Sequence, residues 1–197
     1  LFAGYRPCKR CQPLEATGKP PAWAQQLIAQ VQAAPDTRLQ AADLRALGIT
    51  PERARRWFQQ HYGMSFAAWC RGHRLAGAFQ RLRQGAGLDE TICDSGFASH
   101  SGFREAFQRV FNEAPGRSRQ AGERVVLTLL ETPLRPMLAG ANDQGVRLLE
   151  YTDRRMLEHN LQTLRRRLAC AVVPGEHPFL AKLRQELHEY FQGRRRQ

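Results

Sequence analysis

The sequence lacks several features that would place it in other classes of protein. It contains no run of about eighteen apolar residues, the minimum for a membrane-spanning helix, and no basic, apolar leader with a small-residue cleavage site. Its five cysteines are an odd number without the spacing of a disulfide scaffold. Acidic residues are scarce, at 18 against 30 Lys and Arg. We therefore expect a cytoplasmic protein that neither crosses a membrane nor depends on disulfides.

The excess of positive charge is the first indication of function. The formal net charge is +12 and the pI is near 10.5. Residues 1–120 carry 17 basic and 9 acidic side chains, whereas residues 121–197 carry 13 and 9. A basic surface of this kind suits a polyanionic partner such as nucleic acid. The charge favours such a partner mainly for the first 120 residues.

Two segments each predict a helix, a tight turn and a second helix that carries Arg. In the first, Gly48 is expected to end a helix that starts near Ala41, and Thr50 with Pro51 should cap and open the next, which runs to Tyr62. In the second, which runs from Asp89 to Phe111, Gly96 should make the turn and Ser99 or Ser101 should cap the following helix. A helix-turn-helix unit places its second helix in the major groove of DNA.

One long helix is predicted between the two units. It should bury a set of apolar residues, namely Phe66, Trp69, Leu75, Ala78, Phe79 and Leu82. Its arginines should form a solvated face, with phosphate contacts a minor possibility: Arg71, Arg74, Arg81 and Arg83. Two free cysteines, Cys70 and Cys93, are expected to be small core residues of this region.

This duplicated arrangement resembles the AraC family of transcription regulators over about eighty residues. The matching landmarks are Gly48, Phe58, Gly63, Arg74, Leu75, Gly85, Gly96, Phe97, Ser99, Phe103 and Phe107. The segment Pro115-Gly-Arg-Ser-Arg departs from the family's usual Pro-Tyr-Arg. The resemblance implies two helix-turn-helix units that occupy successive major grooves of double-stranded DNA, so a monomer suffices.

Helix geometry and the family resemblance together identify the expected reading residues. In the first unit, Ala54, Trp57 and Phe58 should face the core, and in the second, Phe103, Ala106 and Phe107 should do so. The opposite faces carry the residues that we expect to contact DNA: Glu52, Arg55, Arg56, His100, Ser101 and Arg104. Arg suits guanine N7 and O6 or a phosphate. Glu52 suits a cytosine amino group, or else only the helix dipole.

A Cys-x-x-Cys pair lies near the start of the sequence. Cys8 and Cys11 follow Gly-Tyr-Arg-Pro and precede Gln-Pro. Two thiolates at this spacing can supply half of a tetrahedral zinc site. A redox pair and an inert turn are the competing interpretations. The segment resembles the end of the zinc domain of Ada-type regulators, which respond to DNA methylation; the resemblance implies that Cys8 and Cys11 are the last two ligands of a four-cysteine set.

The third segment predicts a mixture of strands and helices. Residues 125–151 should form a meander of three strands, followed by helices over about 154–167 and 178–193. One face of the last helix should be apolar, with Phe179, Leu183, Leu187, Tyr190 and Phe191. The segment resembles the N-terminal subdomain of methylated-DNA cysteine methyltransferases, which implies an α+β, RNase H-like fold.

No methyl-accepting site of that family is expected within the chain. Its signature, Pro-Cys-His-Arg, does not occur. Cys170 has no neighbouring His to form a thiolate, so it should be a packing residue. His159, His177 and His188 should be surface or interface residues. The chain should therefore transfer no methyl group from DNA, although an Ada-type parent would do so.

The sequence thus predicts a multidomain fragment of an Ada-type regulator. Residues 1–17 would be the remnant of a zinc domain, 23–120 an all-α AraC-type DNA-binding domain, and 124–197 the methyltransferase subdomain. We expect DNA and, for activation, RNA polymerase as partners. Two alternatives stay open: an ordinary AraC-type regulator with an unrelated C-terminal sensor domain, and an Ada-like regulator fused to a DNA glycosylase.

Overall fold

The first half contains the five predicted helices in the predicted order, preceded by one helix that was not predicted. A computed structural model describes residues 19–111, 114–116, 124–152, 156–168 and 170–194. Its first half contains α1 (Ala22–Ala33), α2 (Ala41–Ala46), α3 (Pro51–Tyr62), α4 (Phe66–Arg83), α5 (Leu88–Cys93) and α6 (His100–Phe111). Helices α2 with α3 and α5 with α6 form the two helix-turn-helix units, and α4 connects them. Among the described residues, no helix is both long and apolar enough to cross a membrane.

The second half forms a small mixed sheet with flanking helices. Its elements are β1 (Arg124–Leu130), β2 (Met137–Asn142), β3 (Gly145–Tyr151), α7 (Leu157–Leu168), β4 (Ala171–Pro174) and α8 (Pro178–Phe191). The strand order is β3-β2-β1-β4. Strands β1 to β3 form the predicted antiparallel meander, whereas β4 lies parallel to β1. Strand β4 was not predicted, and it gives the sheet its mixed character.

The sheet and the first helix-turn-helix unit share one hydrophobic core. Phe58, Tyr62 and Trp69 of the helical part are in the same buried cluster as Val125, Leu127, Leu138, Leu157, Leu161 and Val172. Helix α4 also passes close to β4, since a methyl group built on Gly72 would lie 2.6 Å from Cδ of Pro174. The two parts of the chain are therefore packed together rather than joined only by a linker.

The opposite face of the sheet packs elsewhere. Val126, Leu130, Met137, Ala139, Ala141 and Val173 form a cluster with Leu180 of α8. Val110 and Phe111, at the end of α6, pack against this cluster and also against the core of the second unit. Adjacent residues of β1 thus face different cores, because successive side chains of a strand point to opposite faces. Both helix-turn-helix units touch the sheet as a result.

Turns and caps form where the sequence predicts them. Gly48 and Gly96 adopt φ of 72° and 64°, which is the left-handed region where glycine is favoured. The hydroxyl of Thr50 accepts a hydrogen bond from the amide of Arg53 at 3.3 Å, and Pro51 begins α3. Ser99 caps α6 by accepting from the amide of Gly102 at 3.1 Å. The predicted inward face of α4 is confirmed, since all six of its apolar residues are buried.

Three predictions of side-chain placement and one helix boundary are wrong. Arg74 is only 8% exposed, because it packs against Phe97. Cys93 is exposed rather than buried, since it is the last residue of the short α5. On α8, Leu183 and Leu187 pack against the sheet as predicted, together with Leu180, whereas Phe179 and Tyr190 are exposed because they lie outside this face. Helix α7 begins at Leu157, later than expected.

His73 should make stability depend on pH. Burial lowers its pKa to about 4 from the usual 6.5. The unfolded chain therefore binds more protons than the folded one between these values, so the stabilisation is complete above pH 6.5 and is lost as the pH falls towards 4. We expect the free energy of unfolding to drop by roughly 3 kcal/mol across this window. Urea titrations at pH 7.5 and 4.0 would measure the drop.

A matched substitution separates His73 from the other histidines. His73→Gln should remove most of the pH dependence. His159→Gln, at an exposed position of α7, should leave it in place. An unchanged dependence in His73→Gln would contradict the assignment.

Candidate nucleic-acid interface

Helix α3 presents a polar face away from the core. Ala54 and Phe58 are fully buried, and Trp57 is half-buried against Phe58 with 5.0 Å between ring centroids. The three predicted reading residues of this helix are all exposed: Glu52, Arg55 and Arg56. They lie at spacings of three and four residues, so they share one side of the helix. That side can enter a major groove without disturbing the core.

Helix α6 repeats this arrangement in the second unit. Phe103 and Phe107 are fully buried, and Ala106 is half-buried beside them. The predicted reading residues are again exposed: His100, Ser101 and Arg104. They occupy the first turns of the helix, which is the part of a recognition helix that contacts base edges. The imidazole of His100 lies 3.5 Å from a carboxylate oxygen of Asp89 on α5.

The structure adds one residue to the polar face of α3. Gln59 follows Arg55 and Arg56 by four and three positions and is exposed, so it continues the same stripe. Its amide donates a hydrogen bond to Glu158, the second residue of α7, at 3.2 Å. Helical spacing alone could have identified Gln59. The proximity of α7 could not have been foreseen, because it depends on how the sheet packs.

Helix α3 also makes side-chain contacts with α1 and with the residue that follows β3. Arg53 lies over the ring of Trp23 on α1, 4.8 Å from its centroid. Near the end of α3, Nδ1 of His61 lies 2.6 Å from Oγ1 of Thr152. His61 holds the helix on the side opposite the reading residues, and Arg53 holds it at the flank of that face. Arg53 is therefore a positioning residue, although its charge is close to the DNA-facing side.

Two cysteines and three histidines occupy the structural positions predicted for them. Burial raises the pKa of the Cys70 thiol to about 12, so it stays protonated. Cys170 is buried, in agreement with a packing role. His159 and His188 are exposed, and His177 caps α8 and lies 3.3 Å from Asp143. No group of three or more potential metal ligands occurs within the described ranges.

The predicted zinc ligands, Cys8 and Cys11, lie outside the residues that the structure describes. The interpretation of this pair as half of a zinc site stays a prediction. The same holds for the remnant of a zinc domain over residues 1–17.

Comparison with known proteins agrees with the geometry of the two units. A family model described as "Helix-turn-helix domain" matches residues 44–121. GlxA of Rhizobium meliloti, an HTH-type transcriptional regulator, is 34% identical over 77 residues, which cover 39% of this chain and 24% of GlxA. These residues therefore form an AraC-type helix-turn-helix DNA-binding domain.

A second relative extends the likeness beyond that domain. The bifunctional transcriptional activator and DNA repair enzyme Ada of Escherichia coli is 27% identical over 156 residues, which cover 74% of this chain and 42% of Ada. The chain is accordingly similar to Ada over a longer stretch than the helix-turn-helix domain alone. It spans less than half the length of either relative. A solved structure of a protein of unknown function from Listeria innocua gives a TM-score of 0.46 at 20% identity, covering 51% of this chain and 97% of that one.

Removal of either reading arginine of α3 should weaken DNA binding. We expect Arg55→Ala or Arg56→Ala to cost about 1 to 3 kcal/mol, with relaxed sequence preference, if the guanidinium contacts a base. The measurement is a gel-shift titration against a duplex that the unmodified protein selects from a random library. Arg45→Ala is the control, because it removes one exposed positive charge from α2.

The control distinguishes base reading from general charge. Arg45→Ala should reduce affinity equally for all sequences, or not at all. If Arg55→Ala and Arg56→Ala both keep the DNA affinity and the sequence preference of the unsubstituted protein, α3 is not a reading helix.

Proposed function

We propose that this chain is the DNA-reading part of an Ada-type transcription activator that responds to DNA methylation. The observation that carries the proposal is the extent of the match to Ada. The match covers 74% of the chain, whereas the helix-turn-helix family model ends at residue 121. An ordinary AraC-type regulator would share only the helix-turn-helix region. Because 74% of the chain is more than residues 1–121 contain, the likeness also extends into the part that forms the sheet.

Binding as a monomer is supported by the arrangement of the two units. Helices α3 and α6 carry exposed arginines on separate units, and both units are held on α4. One chain then supplies two major-groove contacts. For activation, we propose RNA polymerase as the protein partner.

Coupling to repair belongs to the proposed full-length parent. There, Cys8 and Cys11 would supply the last two thiolate ligands of a zinc site. Methyl transfer requires an activated thiolate near the DNA. Neither Cys70 nor Cys170 fits that requirement, since both are buried and the Cys70 thiol has a raised pKa. The acceptor cysteines would therefore be residues other than these two.

A reporter assay tests the methylation response. The promoter containing the duplex selected by this protein would drive a reporter in cells that hold the full-length gene. We expect a methylating agent to induce the reporter, and we expect no induction when Cys8 and Cys11 are both changed to Ser. Binding of the selected duplex without any response to methylation would refute the Ada-type function and leave the DNA-binding assignment intact.

The match to GlxA favours one second candidate, a regulator of the ordinary AraC kind. In that case a small molecule, rather than methylation, would control DNA binding. A cavity of about 770 Å³ lies between α1, β1 and α8 and includes Gln25, Tyr62 and Arg184 in its wall. The reporter assay separates the two functions, because a sensor of small molecules would ignore the methylating agent.

A further inference from the structure

The loop after α1 touches the turn of the second helix-turn-helix unit. Residue Asp36 lies in this loop, which belongs to the first unit because Leu27 and Val31 of α1 pack in the first unit's core. Gly96 makes the turn between α5 and α6. A methyl group built on Gly96 would collide with the carbonyl oxygen of Asp36. The two units therefore meet directly at this point, apart from their connection through α4.

Polar side chains join the two units at the same point. The guanidinium of Arg81 on α4 donates a hydrogen bond to the hydroxyl of Ser95 at 3.2 Å and lies 3.9 Å from the Asp36 carboxylate. Ser95 is fully buried and donates its own hydrogen bond to the carbonyl of Thr91. Arg81 thus contacts the loop of the first unit and the turn of the second at once.

A second arginine of α4 strengthens this junction. Arg74 is 8% exposed and lies over the ring of Phe97, 5.2 Å from its centroid. Its Cδ lies 3.6 Å from a methyl group built on Gly96. Burial lowers the pKa of Arg74, and the Asp36 carboxylate is among the groups that oppose this shift. Burying a guanidinium is costly, and the ring of Phe97 and the charge of Asp36 offset part of that cost here.

We propose that Asp36, Arg81 and Ser95 form a bridge that fixes the angle and distance between the two reading helices, and so sets the half-site spacing that the protein accepts. The proposal rests on the DNA-binding function. The second unit is otherwise attached to the first through α4, through the contacts of α6 with the sheet, and through the packing of Gly96 against the backbone of Asp36. A further connection at the turn restrains rotation of α6 about α4. These three residues are positioning residues, since none is on the polar faces of α3 or α6.

Stability is not the expected contribution of the bridge. The Asp36 and Arg81 side chains are 42% and 33% exposed, and an ion pair of that kind contributes little to folding. A rigid connection does raise the effective concentration of one unit at its half-site once the other is bound. Loss of the bridge should therefore change spacing preference and affinity more than melting temperature.

The first experiment measures the geometry without DNA. Nitroxide labels would be placed at Gln60→Cys on α3 and Glu105→Cys on α6, with Cys8, Cys11 and Cys93 changed to Ser. Electron double resonance should give one narrow distance distribution in this background. We expect Arg81→Ala and Asp36→Asn to at least double its width. Arg83→Ala and Asp94→Asn are the controls, because they remove the same charges from exposed neighbouring positions and should leave the width unchanged.

The second experiment measures spacing on the selected duplex. Insertion of one base pair between the half-sites rotates one of them by roughly 35° about the duplex axis. We expect this insertion to lower the affinity of the unsubstituted protein by about tenfold or more. The affinities of Arg81→Ala and Asp36→Asn should start weaker and should fall by less than about threefold. Ser95→Ala should behave in the same way if Arg81→Ala fails to fold.

The two experiments separate the bridge from the proposed function. If no duplex is selected, the DNA-binding function fails, but the label distances still decide whether the bridge restrains the helices. The proposal would be overturned if the distance distributions of the unsubstituted protein, Arg81→Ala and Asp36→Asn had equal widths. It would also be overturned if the inserted base pair lowered the DNA affinity of all three proteins by the same factor.

Discussion

Substitution of Gly96 by alanine is expected to lower the free energy of unfolding by about 3 kcal/mol. Gly96 has a φ of 64°, a region that residues with a Cβ atom rarely occupy. The added methyl group would also collide with the backbone of Asp36, which cannot move as easily as a side chain. The measurement is urea unfolding followed by circular dichroism.

Gly77→Ala is the matched control for this substitution. Gly77 lies within α4, is exposed, and has open space where a methyl group would go. Alanine should stabilise the helix there by about 0.5 to 1 kcal/mol. The two Gly→Ala changes should therefore have opposite signs. Equal effects would mean that the turn does not contact the first unit.

Replacement of Phe58 by alanine should cost about 3 to 5 kcal/mol, the usual range for a buried Phe. Phe58 is fully buried, and its ring lies 5.0 Å from those of Phe66 and Trp69. Because its cluster includes residues of the sheet, we expect the helices and the sheet to unfold together. Tryptophan fluorescence and far-ultraviolet circular dichroism would follow the transition.

Coincidence of the two signals is the critical observation. The tryptophans report on the helical part, since Trp23, Trp57 and Trp69 all lie in α1, α3 and α4. Leu47→Ala, at a residue that is 50% exposed, should change stability by no more than about 0.5 kcal/mol. Two separate transitions in the Phe58→Ala protein would show that the sheet folds independently of the helices.

The local features of the helix-turn-helix units could be predicted because their determinants are close in sequence. Gly48, Thr50 with Pro51, and Ser99 each act within a few residues, so the turns and caps are where the sequence indicates. The exposed reading faces follow from helical spacing in the same way. The antiparallel meander also joins segments that are neighbours in the sequence, so it could be predicted.

Other features depend on contacts between distant segments. Strand β4 has only four residues, and its parallel partner β1 is more than forty residues away. A short apolar run of that kind fits a strand or a helix equally well. Arg74 is buried because Phe97 covers it, and neither residue indicates this alone. Glu158 reaches Gln59 because the sheet packs on the first unit.

The alternation along β1 has a consequence for how this protein can evolve. Val125 and Leu127 face the core of the first unit, whereas Val126 and Leu130 face the core that receives the end of α6. If the DNA-binding module of another regulator replaced this one, its helices would present solvent-exposed polar surfaces to β1 instead of the apolar side chains that pack there now. Recombination at the junction would then expose apolar side chains on both sides. A substitution in one half of this contact therefore requires compatible side chains in the other half.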